Sequence, residues 1–495
     1  MVYAQPPLEF IPPALNPLVL RATQLLLPAW LRWQAAITDI QASNVEVLVD
    51  LYHQFQAGKI RLLMAFRHSS VDDQLCMAYL LHHILPQIAR QQSISLQRPI
   101  HAHFIYDRGI PLWAGAYISW LYSRLGGISI HRGKLDRIGL RSARDLFANG
   151  SFPMAAAPEG ATNGHNEIVS PLEPGVAQLG FWCVEDLLKA GRSEQVFVVP
   201  IGIQYHYVQA PWKSLEQLLS ELEAEIGLEH SVLGTRHEGE MPVGNTDFET
   251  NEESRLSPYE ASLYLRLYRL GEHLLSLMEE FYTRFYHQNL TRASTKVVTS
   301  ITATAENNFP SGLKLPSSHE EFATRLQALL EAALQVAEQY FDLQPKGSLI
   351  DRCRRLEQAG WDYIYREDIK NIEALSPVER GLADRIAQEA SLRMWHMRLV
   401  ENFVAVTGEY VLEKFTVERF AETTLLIWEM IVRIKGGNPF HRPRLGKQWV
   451  QMTVGQPISV SDRWEAYQAN RPSAKLAVAD LTQDLQTALE GMIHT

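Results

Sequence analysis

Between residues 45 and 205 the chain switches repeatedly between two textures. Apolar runs of strand length, RLLMAF (61–66), HAHFIY (101–106), ISIHR (128–132), MAAAP (154–158) and VFVVPIGIQY (196–205), alternate with helical patterns such as DDQLCMAYLLHHILPQIARQ and SARDLFAN. Strands spaced by helices rejoin one sheet only through crossovers, so this pattern predicts a largely parallel sheet with helices on its faces. The fold class is therefore α/β.

Beyond that region the texture changes. Residues 229–257 are polar and rich in Gly, Asn and Glu, the composition of a loop or linker. Four long helical patterns follow, and start signals mark two of them: Ser318 with Glu321, and Ser376 with Pro377 at the first helical position and Glu379 after it. After KGGNPFHRPRLGK (435–447) a strand, KQWVQMTVGQPISV, and a helix, AKLAVADLTQDLQTALEGMI, reappear. One strand and one helix make a poor domain, so they are expected to rejoin the first sheet. The expected organisation is an N-terminal amphipathic segment (1–44), the first part of an α/β domain (45–215), a large all-α insertion or second domain (216–440), and a closing strand and helix (441–495).

Composition narrows the function classes. A net charge of −10 over 495 residues opposes nucleic acid as the main partner. Three cysteines, Cys76, Cys183 and Cys353, are too few and too scattered for a disulfide framework or a zinc site, and suit a reducing cytoplasm. The opening MVYAQPPLEF lacks a basic start followed by an apolar block, so no secretory leader is expected. The segment ALNPLVLRATQLLLPAWLRW (14–33) is interrupted by Pro17, Arg21 and Pro28, which disfavours a membrane span. Its leucines, tryptophans and arginines fit a helix lying in a lipid interface, or equally one packed on the protein's own core.

The chemistry concentrates where the first apolar run ends, in FRHSSVDDQL (66–75). Ser70 through Asp73 reads as a helix start with Ser70 as N-cap, and His68 lies within reach of Asp73. A carboxylate on one imidazole nitrogen fixes the tautomer and leaves the other nitrogen as a base, able to deprotonate a hydroxyl for attack on an ester or thioester. Further blocks follow in order: GGISIHR (126–132), APEGATN (157–163), VVPIGI (198–203) and the late turn GQPISV (455–460). HRGKLDRIGLRSARD also carries a basic run, Lys134, Arg137, Arg141 and Arg144.

In this order the blocks resemble those of the glycerolipid acyltransferases, the family that includes the lysophosphatidate and glycerol-3-phosphate acyltransferases. The resemblance covers about residues 10–215 and 445–495 and leaves the helical block without a counterpart. It implies an α/β acyltransferase domain with a mixed, mostly parallel sheet. It also implies a transfer of a fatty acyl group from acyl-CoA or acyl carrier protein to a hydroxyl of a phospholipid precursor, such as 1-acyl-sn-glycerol-3-phosphate. By resemblance His68 is the base and Asp73 orients it. Arg132 holds the acceptor phosphate, and Pro158, Glu159 and Gly160 shape the acceptor site. No metal or cofactor is implied, and the expected location is cytoplasmic, at a membrane surface. The chain departs from the pattern at Arg67, which replaces an asparagine, and at Ala157, which replaces a phenylalanine. Ala161 and Thr162 replace a threonine-arginine pair whose arginine binds phosphate. Arg67 could take over that arginine's role only if its side chain turns into the site. Two alternatives follow: an acyltransferase for another lysolipid or a non-phosphorylated alcohol, and a non-catalytic lipid- or protein-binding scaffold acting through the helical block.

Overall fold

The computed structural model describes residues 2–110, 115–131, 136–228, 257–290, 319–403, 410–439 and 441–493. The chain divides into two compact units. One comprises Met1–Gln209, Arg354–Leu392 and Gly446–Thr495; the other comprises Ala210–Cys353 and Arg393–Leu445.

The first unit is built on an eight-stranded sheet. Its strands are β1 (Ile37–Ser43), β2 (Ile60–Phe66), β3 (His103–Asp107), β4 (Ile128–Ile130), β5 (Met154–Ala156), β6 (Gln195–Tyr207), β7 (Gln448–Val454) and β8 (Ile458–Ser459). They lie in the order β1-β7-β6-β2-β5-β3-β4, with β8 beside β6. Neighbours from β6 through β4 are parallel, β7 runs antiparallel to β6, and β1 runs parallel to β7. Both faces of the centre are covered. Leu62, Met64 and Phe66 of β2 enter one apolar core with helix α2 (Val45–Gln56), while Leu63 and Ala65 enter a second core with the helices Arg137–Asn149, Gly175–Lys189 and Arg471–Glu490. A strand buried on both sides must read as a continuous apolar run, and RLLMAF does.

The late strand joins the sheet as the sequence predicts: Ile201 to Tyr207 of β6 pair with Val454 to Gln448 of β7. Strand β1 was not foreseen, because ITDIQAS carries Asp39 and Gln41 and its burial is that of an edge, not a core. The predicted helix after β2 is present in three pieces: α3 (Asp73–Tyr79), a π-helical turn (Leu80–Ile84) and α4 (Leu85–Gln91). Pro86 has no N–H to give an α-helical ladder, and the wider turn ends beside it. Helix α1 (Pro17–Trp33) is capped by Asn16, whose side chain accepts from Leu18 and Val19. Among the described residues no helix is long and apolar enough to cross a membrane.

The second unit is helical. It holds the helices Trp212–Glu225, Pro258–Tyr286, His319–Phe341 and Val417–Ile434. Ser257 and Glu260 form a reciprocal capping box that starts the 29-residue helix. Arg352 is buried against Glu338 at 2.7 Å, and Tyr282 and His396 share a buried hydrogen bond of 2.7 Å. Elsewhere, the Ser376 and Glu379 pair caps its helix as predicted, with the Ser376 N–H donating to Glu379 Oε2 at 2.8 Å. Ser318 lies outside the described residues.

Candidate active site

Strand β2 runs through the middle of the parallel sheet, and its neighbours β5 and β6 end on the same side. The loops after β2 and β5 therefore meet the last residues of β6 at one sheet edge, the usual place for a site in an open α/β sheet. The β2–β6 ladder extends one residue past the strand, with the Arg67 N–H donating to Ile201 O at 3.0 Å. His68 follows immediately. Its backbone N–H donates to Glu159 Oε1 at 2.7 Å, and its Nδ1 lies 3.2 Å from Asp73 Oδ2.

The two side chains differ in access. That of His68 is 15% exposed and that of Asp73 is fully enclosed. A buried carboxylate needs partners, and Asp73 has them: the Tyr205 hydroxyl donates to Oδ1 at 2.7 Å and the Ser70 N–H to Oδ2 at 2.8 Å. Burial and the adjacent carboxylate push the Tyr205 phenol well above its ordinary pKa, so it remains a donor. Burial likewise keeps the neighbouring Cys76 thiol protonated. An imidazole held in this way exposes one edge while a fixed carboxylate supports the other, and that arrangement can accept and return a proton.

The helix start corrects one expectation. Asp72, not Ser70, is the N-cap of α3, and it makes no side-chain capping bond. The reciprocal contact runs backwards: Asp73 accepts from the Ser70 N–H, and the Ser70 hydroxyl accepts from the Asp72 N–H at 3.2 Å. The carboxylate reaches back over the turn because it must also serve His68 and Tyr205.

Arg67 and Glu159 are paired with each other at 3.2 Å, with side chains 1% and 0% exposed. Arg67 also donates to the carbonyls of His165, Asn166 and Ile168, at 3.1, 3.1 and 2.8 Å. Its guanidinium is wrapped by the loop after β5 and does not turn outward as a phosphate ligand would. Glu159 takes two N–H groups, those of His68 and Ser170, together with the Asn163 amide. The pair thus fastens the loop after β5 to the residue that carries the imidazole. Pro158 is buried, and its carbonyl accepts from Glu173 N–H at 2.7 Å. Gly160 has φ +76°, and a Cβ there would lie 2.3 Å from Glu173 Oε1, so the turn requires glycine. Thr162 is exposed.

Arg132 and Lys134 lie outside the described residues. Of the basic run, Arg137 and Arg141 are exposed, whereas Arg144 is paired with Asp186 and Glu185. His82, His101 and His103 are structural: His82 Nε2 meets His101 Nδ1 at 3.2 Å, and His101 and His103 bond the carbonyls of Leu125 and Gly126.

Sequence reasoning missed Asn163 and Asn166, and it placed Tyr205 near the site, at the end of the fourth block's strand, without giving it a role. Asn166 bonds both backbone polar groups of Tyr205, at 2.7 and 2.8 Å, and so aligns the tyrosine with Asp73. No local spacing links Tyr205 to Asp73; the alternation of VFVVPIGIQY assigns it a sheet face, but only the pairing of β6 with β2 brings it near. No protein-family model matches the chain, and no curated protein matches it in sequence.

Proposed function

We propose that the protein is an O-acyltransferase that moves a fatty acyl group from a thioester, acyl-CoA or acyl carrier protein, to a hydroxyl of a glycerophospholipid precursor. The observation that supports this reading above the others is the dyad: His68 Nδ1 at 3.2 Å from an enclosed Asp73 that is itself held by Tyr205 and Ser70. Asp73 keeps the proton on Nδ1, which leaves Nε2 as the base. Nε2 takes the proton of the acceptor hydroxyl as its oxygen attacks the thioester carbonyl. A C–O bond forms, the C–S bond breaks, and the imidazolium returns its proton to the departing thiolate. General base catalysis of this kind contributes about 10²–10⁴-fold.

The acceptor has two readings. A phosphomonoester such as 1-acyl-sn-glycerol-3-phosphate needs a cation, for which Arg132 is the candidate. Another lysolipid or an uncharged alcohol is favoured by the enclosure of Arg67 and by Thr162 at the turn.

Helix α1 supports work at a lipid surface. Leu20, Leu27 and Leu31 face the protein, yet Leu25 is 74% and Trp33 80% exposed, and the helix carries Arg21 and Arg32 with no acidic residue. An apolar outer face flanked by arginines and tryptophans suits an interfacial helix.

The test is purified protein with acyl-CoA or acyl carrier protein donors against lysophosphatidate, other lysolipids and monoacylglycerol, with products resolved by mass. Acylated product from wild type and loss of at least about a hundredfold in His68→Ala, with unchanged circular dichroism, is the expected result. Full activity in the variant rejects the base.

A further inference from the structure

The sheet unit contains a cavity that shares no lining residue with the dyad or the Pro158–Gly160 turn. Its volume is about 600 Å³, and it lies between the N-terminal segment Leu8–Ala14, the end of β3 at Arg108 and the helix Ala116–Arg124. That size falls within the range of small-molecule sites. Two of its lining residues carry buried polar atoms without hydrogen-bond partners among the described residues: Arg108 Nε and Ser119 Oγ. Both residues are more than nine-tenths buried, Arg108 at 6% and Ser119 at 3% exposure. Buried donors are nearly always satisfied, so two orphans lining one cavity call for an acceptor from outside the chain.

The electrostatics define that acceptor. The Arg108 guanidinium already pairs with Asp136 and has Phe10 across one face at 5.3 Å. The charge left over belongs to Arg124, which has no ion-pair partner among the described residues; Glu9 is exposed to water at the rim. One spare positive charge and two neutral-to-neutralised donors suit a monoanion better than a dianion. The remaining wall is mostly apolar, formed by Leu8, Ile11 and Pro12, with the Ser123 hydroxyl donating to Pro12 O at 2.7 Å, and Trp120 stacks on exposed Tyr117 at the rim. We propose that this cavity binds a long-chain carboxylate, with the carboxylate between Arg108, Ser119 and Arg124 and the alkyl chain along the N-terminal segment. The site does not involve His68 and stands whether or not acyl transfer is the reaction.

The test is titration of the purified full chain with cis-parinarate, a fluorescent fatty carboxylate, followed by displacement with palmitate, hexadecanol and hexadecyl phosphate. Saturable binding at one site is expected, with palmitate displacing the probe and hexadecanol at least about tenfold weaker. Arg124→Gln and Ser119→Ala should each weaken palmitate about five- to tenfold, with unchanged circular dichroism, while Leu188→Glu, at an exposed position outside the cavity, should leave it unaltered. Absence of saturable binding, equal affinity in Arg124→Gln and wild type, or tighter binding of hexadecyl phosphate than of palmitate overturns the proposal. Arg124→Gln carries the test by itself if Ser119→Ala does not fold, because its guanidinium has no ion-pair partner to lose among the described residues.

Discussion

A histidine acts as a base only as well as its supporting carboxylate is held, and here Asp73 is held by a tyrosine 132 positions away. Tyr205→Phe removes one donor from an enclosed carboxylate without opening a cavity. For the acyl transfer proposed above it should lower kcat by about tenfold, leave KM nearly unchanged and shift the acid limb of the pH–rate profile; an unaltered kcat and pH profile would show that Tyr205 only fills space. The Arg67–Glu159 pair makes the opposite kind of prediction. Glu159→Ala leaves a guanidinium buried without its carboxylate and strips His68 and Ser170 of an acceptor. Urea unfolding should show a loss of about 3–5 kcal/mol. A midpoint equal to wild type with activity abolished would instead place Glu159 against substrate.

At the scale of elements, α1 and the turn after β5 are the informative pieces. Helix α1 is apolar on the face that packs and on the face that does not, a pattern otherwise found only in buried or membrane-contacting helices. Each leucine moved from water into lipid contributes about 1.5–3 kcal/mol. Leu25→Glu with Leu26→Glu should therefore reduce binding to anionic phospholipid vesicles by more than about tenfold while leaving activity on a short-chain, water-soluble acceptor intact. Co-sedimentation equal to wild type would remove the helix from consideration as an anchor. In the turn, Gly160→Ala meets both a positive φ and the Glu173 carboxylate. A thermal melt should fall by several degrees, and Glu173→Ala in the same chain should recover only the steric part, because the backbone strain persists.

At the scale of the whole molecule, buried histidines make stability depend on pH. Burial, reinforced by neighbouring imidazoles, lowers the pKa of His82 to about 3, and burial lowers that of His101 to about 4. The folded state holds both neutral, whereas the unfolded chain protonates them near their ordinary value of about 6.5. The unfolded state thus binds more protons between those limits, and stability falls as pH drops from about 6.5 toward 4 and then 3. For His101, which is fully buried, the loss approaches about 3 kcal/mol. Denaturation curves at pH 7 and pH 4.5 should show a smaller difference for His101→Asn than for wild type. Equal differences would place the acid sensitivity in the carboxylates.

Much of this architecture was legible in one dimension because its causes are local. An apolar run must be a strand buried on both faces, a Ser-Pro-x-Glu start must begin a helix, and a spacing of only four residues between His68 and Asp73 brings both to one turn. The edge strand Ile37–Ser43 escaped notice because a half-wet edge leaves no apolar run to read. Other assignments depend on which distant groups share a buried space: Tyr205 on Asp73, Arg67 turned into the loop after β5 instead of toward ligand, and the Arg108 Nε and Ser119 Oγ atoms without hydrogen bonds among the described residues beside a cavity. Periodicity records how each residue faces its own element. The satisfaction of buried polar groups is an account kept across the folded chain, and only the tertiary structure closes it.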